Sequence, residues 1–179
     1  MKQFLLVIFM FVCEKAVLAQ VQVAPDTSKA PKPMVLDKKT YKMDIPKGWR
    51  IQDNCQENLC SLLSPADTLS YIDRFVDNIN IAVDKLPSAN YTVDKYAQFS
   101  IDYLPRVVKN FKIIEKKKLK PNVYLVTYKG DKSGYAQTWR QYYYVKNAKV
   151  FIVTFACETD KYAYYKDIVE PYLSSFKLK

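Results

Sequence analysis

The sequence predicts an α+β domain: a single antiparallel β-sheet of about six strands flanked by helices. Three observations carry this. Runs of period-2 alternation recur, four of them in close succession between residues 111 and 158. Two segments repeat apolar residues at helical spacing, and the turn signals between neighbouring strands are short enough for hairpins. Strands, helix, meander, helix is the order of an antiparallel sheet with helices laid on it, not of alternating βαβ units.

Tyr41-Lys42-Met43-Asp44-Ile45 alternates as a strand, Pro46-Lys47-Gly48 turns the chain, and Trp49-Arg50-Ile51 resumes it, which predicts a first hairpin. Residues 59–63 make another short strand, and residues 78–84 alternate with Ile79, Ile81 and Val83 on one side. Thr92 reads as an N-cap with Asp94 in the first turn; Tyr96, Phe99, Tyr103, Val107 and Phe111 follow at helical spacing. Pro105 should kink or divide that helix, because its ring removes an amide donor. Strands are expected over 111–119, 122–129, 135–146 and 149–158, separated by Pro121-Asn122, the Gly130 to Gly134 stretch and Asn147-Ala148. Thr159 should cap a last helix, with Asp160 in its first turn and Tyr162, Tyr165, Ile168, Val169, Tyr172 and Phe176 as its stripe.

Residues 1–19 have the organisation of a secretory signal peptide: a basic start at Met1-Lys2-Gln3, an apolar run from Phe4 to Val12, and small residues at Val17-Leu18-Ala19. The apolar run is shorter than the roughly 20 residues of a membrane-spanning helix. Cys13 follows Val12, where a lipidation motif wants a small residue, so cleavage after Ala19 is favoured over a lipoprotein. Residues 20–33 read as a flexible linker and 34–179 as the folded domain. Export places Cys55, Cys60 and Cys157 in an oxidising compartment. Cys55 and Cys60, with four residues between them and a strand-like segment on either side, are expected to pair, with two reduced thiols as the alternative. Cys157 shares a strand face with Phe151, Val153 and Phe155 and reads as a buried thiol.

The chain has no His, which removes Ser-His-Asp and Cys-His nucleophile pairs, HExxH sites and imidazole metal ligation. With only three glycines, no P-loop, GxGxxG turn or GxSxG elbow can be drawn. Asp73, Asp77 and Asp84, like Glu158 and Asp160, lack calcium-loop spacing and read as loop or helix-start charges. Ser174 and Lys177 fit SxxK by letter alone. No catalytic set, metal site or cofactor is expected.

Two surfaces remain. In residues 135–146, Tyr135, Trp139 and Tyr143 share one face and Arg140, Tyr142 and Tyr144 the other. If the second face is exposed, Arg140, Tyr142 and Tyr144 form an aromatic-basic strip for a glycan or a protein; if not, they are sheet packing. A formal net charge of +10 is partly concentrated in Lys112, Lys116, Lys118 and Lys120, which strict alternation puts on one face of one strand. That row fits an anionic polymer or headgroup surface, or an edge guarded against aggregation. Nucleic acid is excluded, since no recognition motif accompanies the charge and export separates the protein from it.

Ile45-Pro46-Lys47-Gly48-Trp49, the Asp77-Asn78-Ile79-Asn80-Ile81 strand, the helix from Thr92, the meander and a last helix ending Leu173-Ser174-Ser175-Phe176 resemble the PsbP-like superfamily. The resemblance covers nearly all of the chain after residue 33. It implies an α/β/α sandwich and company that includes the photosystem II subunit PsbP, a yeast Ran-binding factor and DcrB-type envelope lipoproteins. The expected function is an exported, non-catalytic accessory module binding an envelope or secreted protein. Glycan or envelope-polymer binding through the aromatic strip is the alternative, and a small enzyme ranks third.

Overall fold

The computed structural model describes residues 34–65 and 75–179. The predicted signal peptide and linker, Cys13 and Asp73 lie outside them. The elements are β1 (Val35–Asp37), β2 (Tyr41–Asp44), β3 (Arg50–Ile51), β4 (Leu59–Leu63), β5 (Asn78–Lys85), α1 (Val93–Tyr103), β6 (Lys109–Lys120), β7 (Val123–Lys132), β8 (Tyr135–Lys146), β9 (Lys149–Glu158), α2 (Tyr162–Ser174) and β10 (Lys177–Leu178). They form two sheets where one was expected. Seven strands run β3-β4-β5-β9-β8-β7-β6, and a three-stranded sheet runs β1-β2-β10.

The second sheet arises because the Tyr41 strand does not fold onto residues 49–51. β2 pairs antiparallel with β1 and with the C-terminal β10, while β3 pairs with β4. Tyr41 explains the choice: it is fully buried, stacked on Phe176 and edge-on to Phe151, so the pairing buries a large aromatic against the main sheet. With Leu36, Met43, Val153, Phe155, Val169 and Leu173 these residues make the principal core, between the seven-stranded sheet and the layer of α2 and the small sheet.

The opposite face carries α1. Thr92 caps it as expected, its hydroxyl accepting from Lys95 N at 3.3 Å. Pro105 ends the helix in a 3₁₀ turn over Leu104–Arg106, so β6 begins at Lys109. Tyr96 packs edge-on against Tyr143, and Ser100 shares a 2.8 Å hydrogen bond with the Tyr143 hydroxyl, which in turn donates to Gln141. The last helix departs from expectation at its start: Thr159 bonds to Thr138, Lys161 occupies the N-cap without a side-chain bond, and α2 begins at Tyr162.

Candidate functional site

Arg140, Tyr142 and Tyr144 do share one face of β8, and that face is the one beneath α2. The aromatic-basic strip is therefore not a docking surface: Arg140 and Tyr142 are buried, and Tyr144 lies half-buried with its ring 4.8 Å from that of Phe176. The guanidinium is instead held by partners from three other elements. Arg140 Nε donates to Glu170 Oε2 on α2 at 2.8 Å, and Nη1 donates to Glu115 Oε2 on β6 and to Thr127 Oγ1 on β7, each at 3.0 Å. Nη2 reaches the Tyr142 hydroxyl at 3.3 Å, and that hydroxyl donates to Glu170 Oε1.

Burial works against the charge of Arg140, but the bonds and charges of Glu170, Tyr142 and Glu115 outweigh it and hold its pKa above the ordinary value. Burial, then the Glu170 carboxylate, pushes the Tyr142 phenol up. Every nitrogen of the guanidinium is engaged, so the cluster ties α2 to the sheet. Cys157 is fully buried, and its thiol is pushed well up by burial first and by the Asp77 charge second, the opposite of an activated nucleophile. Cys55 and Cys60 form a disulfide. Among the described residues no group of three His, Cys, Asp or Glu could hold a metal ion.

What the fold does expose is β6, an edge strand of 12 residues. Strict alternation is broken there. Ile113 pairs with Tyr128 and Glu115 with Thr127, so Ile114 is an inserted bulge residue and the later side chains swap faces. Lys112 lies on the α2 side; Lys116 and Lys118 lie on the α1 side, where Lys118 pairs with Asp94 at 2.6 Å. A second shift before Lys120 returns that residue to the α2 side, beside Lys117. The basic strip thus becomes two rows straddling an edge. Lys117, outside the alternation pattern, and Glu115, the partner of Arg140, are site residues that sequence reasoning missed. The legible signal for the Arg140 cluster was a cation in mid-strand on the same face as Tyr142 and Tyr144.

No family model and no curated protein matches the sequence. Solved structures do match in shape. LpqN, involved in cell envelope biogenesis of Mycobacterium tuberculosis, superposes with a TM-score of 0.59 at 14% identity, over 83% of this chain and 86% of that one. Cyanobacterial PsbP from Synechocystis sp. PCC 6803 gives 0.57 at 12% identity, over 88% of this chain and 98% of that one. The fold is PsbP-like. PA94 of Pseudomonas aeruginosa, a protein of unknown function, gives 0.56 at 14% identity, over 73% of this chain and 85% of that one. At these identities the PsbP-like likeness extends to architecture alone. No helix among the described residues is long and apolar enough to cross a membrane.

Proposed function

We propose that this chain is an exported, non-catalytic accessory module that holds an acidic partner protein along the edge strand β6. The observation that carries the reading is the lysine edge itself. Lys109, Lys112, Lys116, Lys117 and Lys120 are exposed and, among the described residues, have no ion-pair partner, while Lys118 alone is neutralised. Like charges at this density repel one another, and an acidic surface relieves that repulsion while speeding encounter. Lysines also guard edges against aggregation. Here, however, they stand beside Ile114 and Leu119, 50% and 40% exposed, which supply apolar contact area that a purely protective edge does not need. The Cys55–Cys60 disulfide and the signal-like start support export, and LpqN shows the same architecture in a protein of envelope biogenesis.

The test is cross-linking and affinity capture from the native host's envelope and secreted fractions, with mass spectrometry of what is joined. Wild type is run beside the variant Lys112→Glu, Lys116→Glu, Lys117→Glu, Lys120→Glu. The expected result is a specific acidic protein captured by wild type and lost from the variant, whose circular dichroism is unchanged. Equal capture by both overturns the edge as the binding surface, and reproducible turnover by the purified protein on a hydrolase panel overturns the non-catalytic reading.

A further inference from the structure

β6 is the long edge of this fold. Among the described residues the other edge strands of the two sheets are β3, β1 and β10, of two, three and two residues, against 12 in β6. An edge strand turns the N–H and C=O of alternate residues outward, and among the described residues no group outside β7 bonds to the backbone of Glu115–Lys118. Such a row of backbone groups is a template for another extended chain.

The template is short and held in place. Its register is continuous from Glu115 to Lys118, and the two residues that interrupt it, Ile114 and Leu119, are both apolar and exposed. Five residues of extended chain separate them by about 17 Å. The stretch is pinned at both ends from opposite faces: Glu115 by Arg140 on the α2 side at 3.0 Å, and Lys118 by Asp94 on the α1 side at 2.6 Å. The cations left between these pins are Lys116 and Lys117, one on each face. A second β6 laid alongside would set lysines against lysines, and the bulges stop pairing from spreading along the edge. A short strand of opposite charge meets neither obstacle.

We propose that the acidic partner binds by strand addition: an extended segment of about six residues pairs its backbone with Glu115–Lys118, and two consecutive acidic residues answer Lys116 and Lys117. Apolar residues on either side of that acidic pair cover Ile114 and Leu119. The acidic residues must be consecutive because neighbours along a strand point to opposite faces, as Lys116 and Lys117 do. Main-chain bonds supply affinity, the side-chain contacts supply selectivity, and the pinned ends reduce the ordering that binding requires. The inference rests on the acidic-partner reading of β6 and names the form that the partner takes.

The test is titration of the ¹⁵N-labelled full chain with the capped octapeptide Thr-Val-Thr-Glu-Glu-Thr-Val-Thr, whose two valines have the spacing of Ile114 and Leu119. The same peptide N-methylated at its four central residues runs beside it, with every side chain and charge kept and the backbone donors removed. The parent peptide should give saturable shifts along 114–119 and slow the exchange of alternate amides there. N-methylation should weaken binding about tenfold or more, since at least two hydrogen bonds are lost. The double variant Lys116→Glu, Lys117→Glu should lose the parent peptide with its circular dichroism unchanged, whereas Lys109→Glu should retain it. Absence of saturable binding, equal binding of the N-methylated peptide, or binding that survives the double variant overturns strand addition. The acidic-partner reading then still stands if wild type captures an acidic protein that the four-lysine variant loses. Equal capture by those two chains overturns that reading and this inference with it.

Discussion

At Arg140 a single side chain joins β6, β7, β8 and α2, and its own side chain is only 9% exposed. Removing such a cation leaves Glu115 and Glu170 facing one another. Breaking a fully buried pair costs about 3–5 kcal/mol, but these carboxylates are 43% and 33% exposed and water screens them, so Arg140→Leu should cost about 2 kcal/mol. The urea midpoint reads this loss. Adding Glu170→Leu to Arg140→Leu should recover part of it, because an apolar pair replaces an uncompensated charge; a double variant weaker than the single one by the full additive amount would show that the two do not interact. Which residues share the Arg140 face was legible from alternation alone. Whether that face meets water was not, because the answer lies in carboxylates 25 and 30 residues away.

Local turn chemistry was the most legible feature among the elements, and it leaves one flaw. Asn147 and Ala148 join β8 to β9 with φ of 52° and 55°, a conformation in which the Cβ of alanine crowds the backbone. Asn-Gly is the pair such hairpins favour. Ala148→Gly should therefore stabilise the fold by about 1 kcal/mol, measured as a rise in thermal midpoint; an unchanged or lower midpoint would mean that Ala148 packing outweighs the backbone strain. What alternation could not reveal is a bulge. Lys112, Lys116, Lys118 and Lys120 of β6 sit at even positions in sequence, yet the residue inserted at Ile114 and a second shift before Lys120 divide them between the two faces. The β2 strand was likewise found in place, but its partners were not: Val35–Asp37 is too short to show a period, and Lys177–Leu178 pairs across the length of the chain, which leaves no local mark.

At the scale of the whole molecule the meander, both helices and the PsbP-like architecture were readable, because each rests on periodicity and on short connections. The division into two sheets was not, since it depends on where Tyr41 finds its aromatic neighbours. The same aromatic content predicts how the fold fails in alkali. Tyr41, Tyr96, Tyr128, Tyr142, Tyr143 and Tyr144 all have phenol pKa values raised above the ordinary 10.0, with burial the first cause in each case. Above pH 10 the unfolded chain sheds these protons while the folded chain keeps them, so the folded state binds more protons and loses stability as pH rises. Their full contribution is present below pH 10, and each group removes up to about 1.4 kcal/mol per pH unit above it until its folded value is passed. The expected outcome is a phenolate titration in two stages. The phenols that burial raises, Tyr162 with the six above, ionise in the later stage, together with the loss of circular dichroism. Complete phenolate absorbance near pH 10 with the dichroism intact would mean that the rings beneath α1 and α2 are open to solvent.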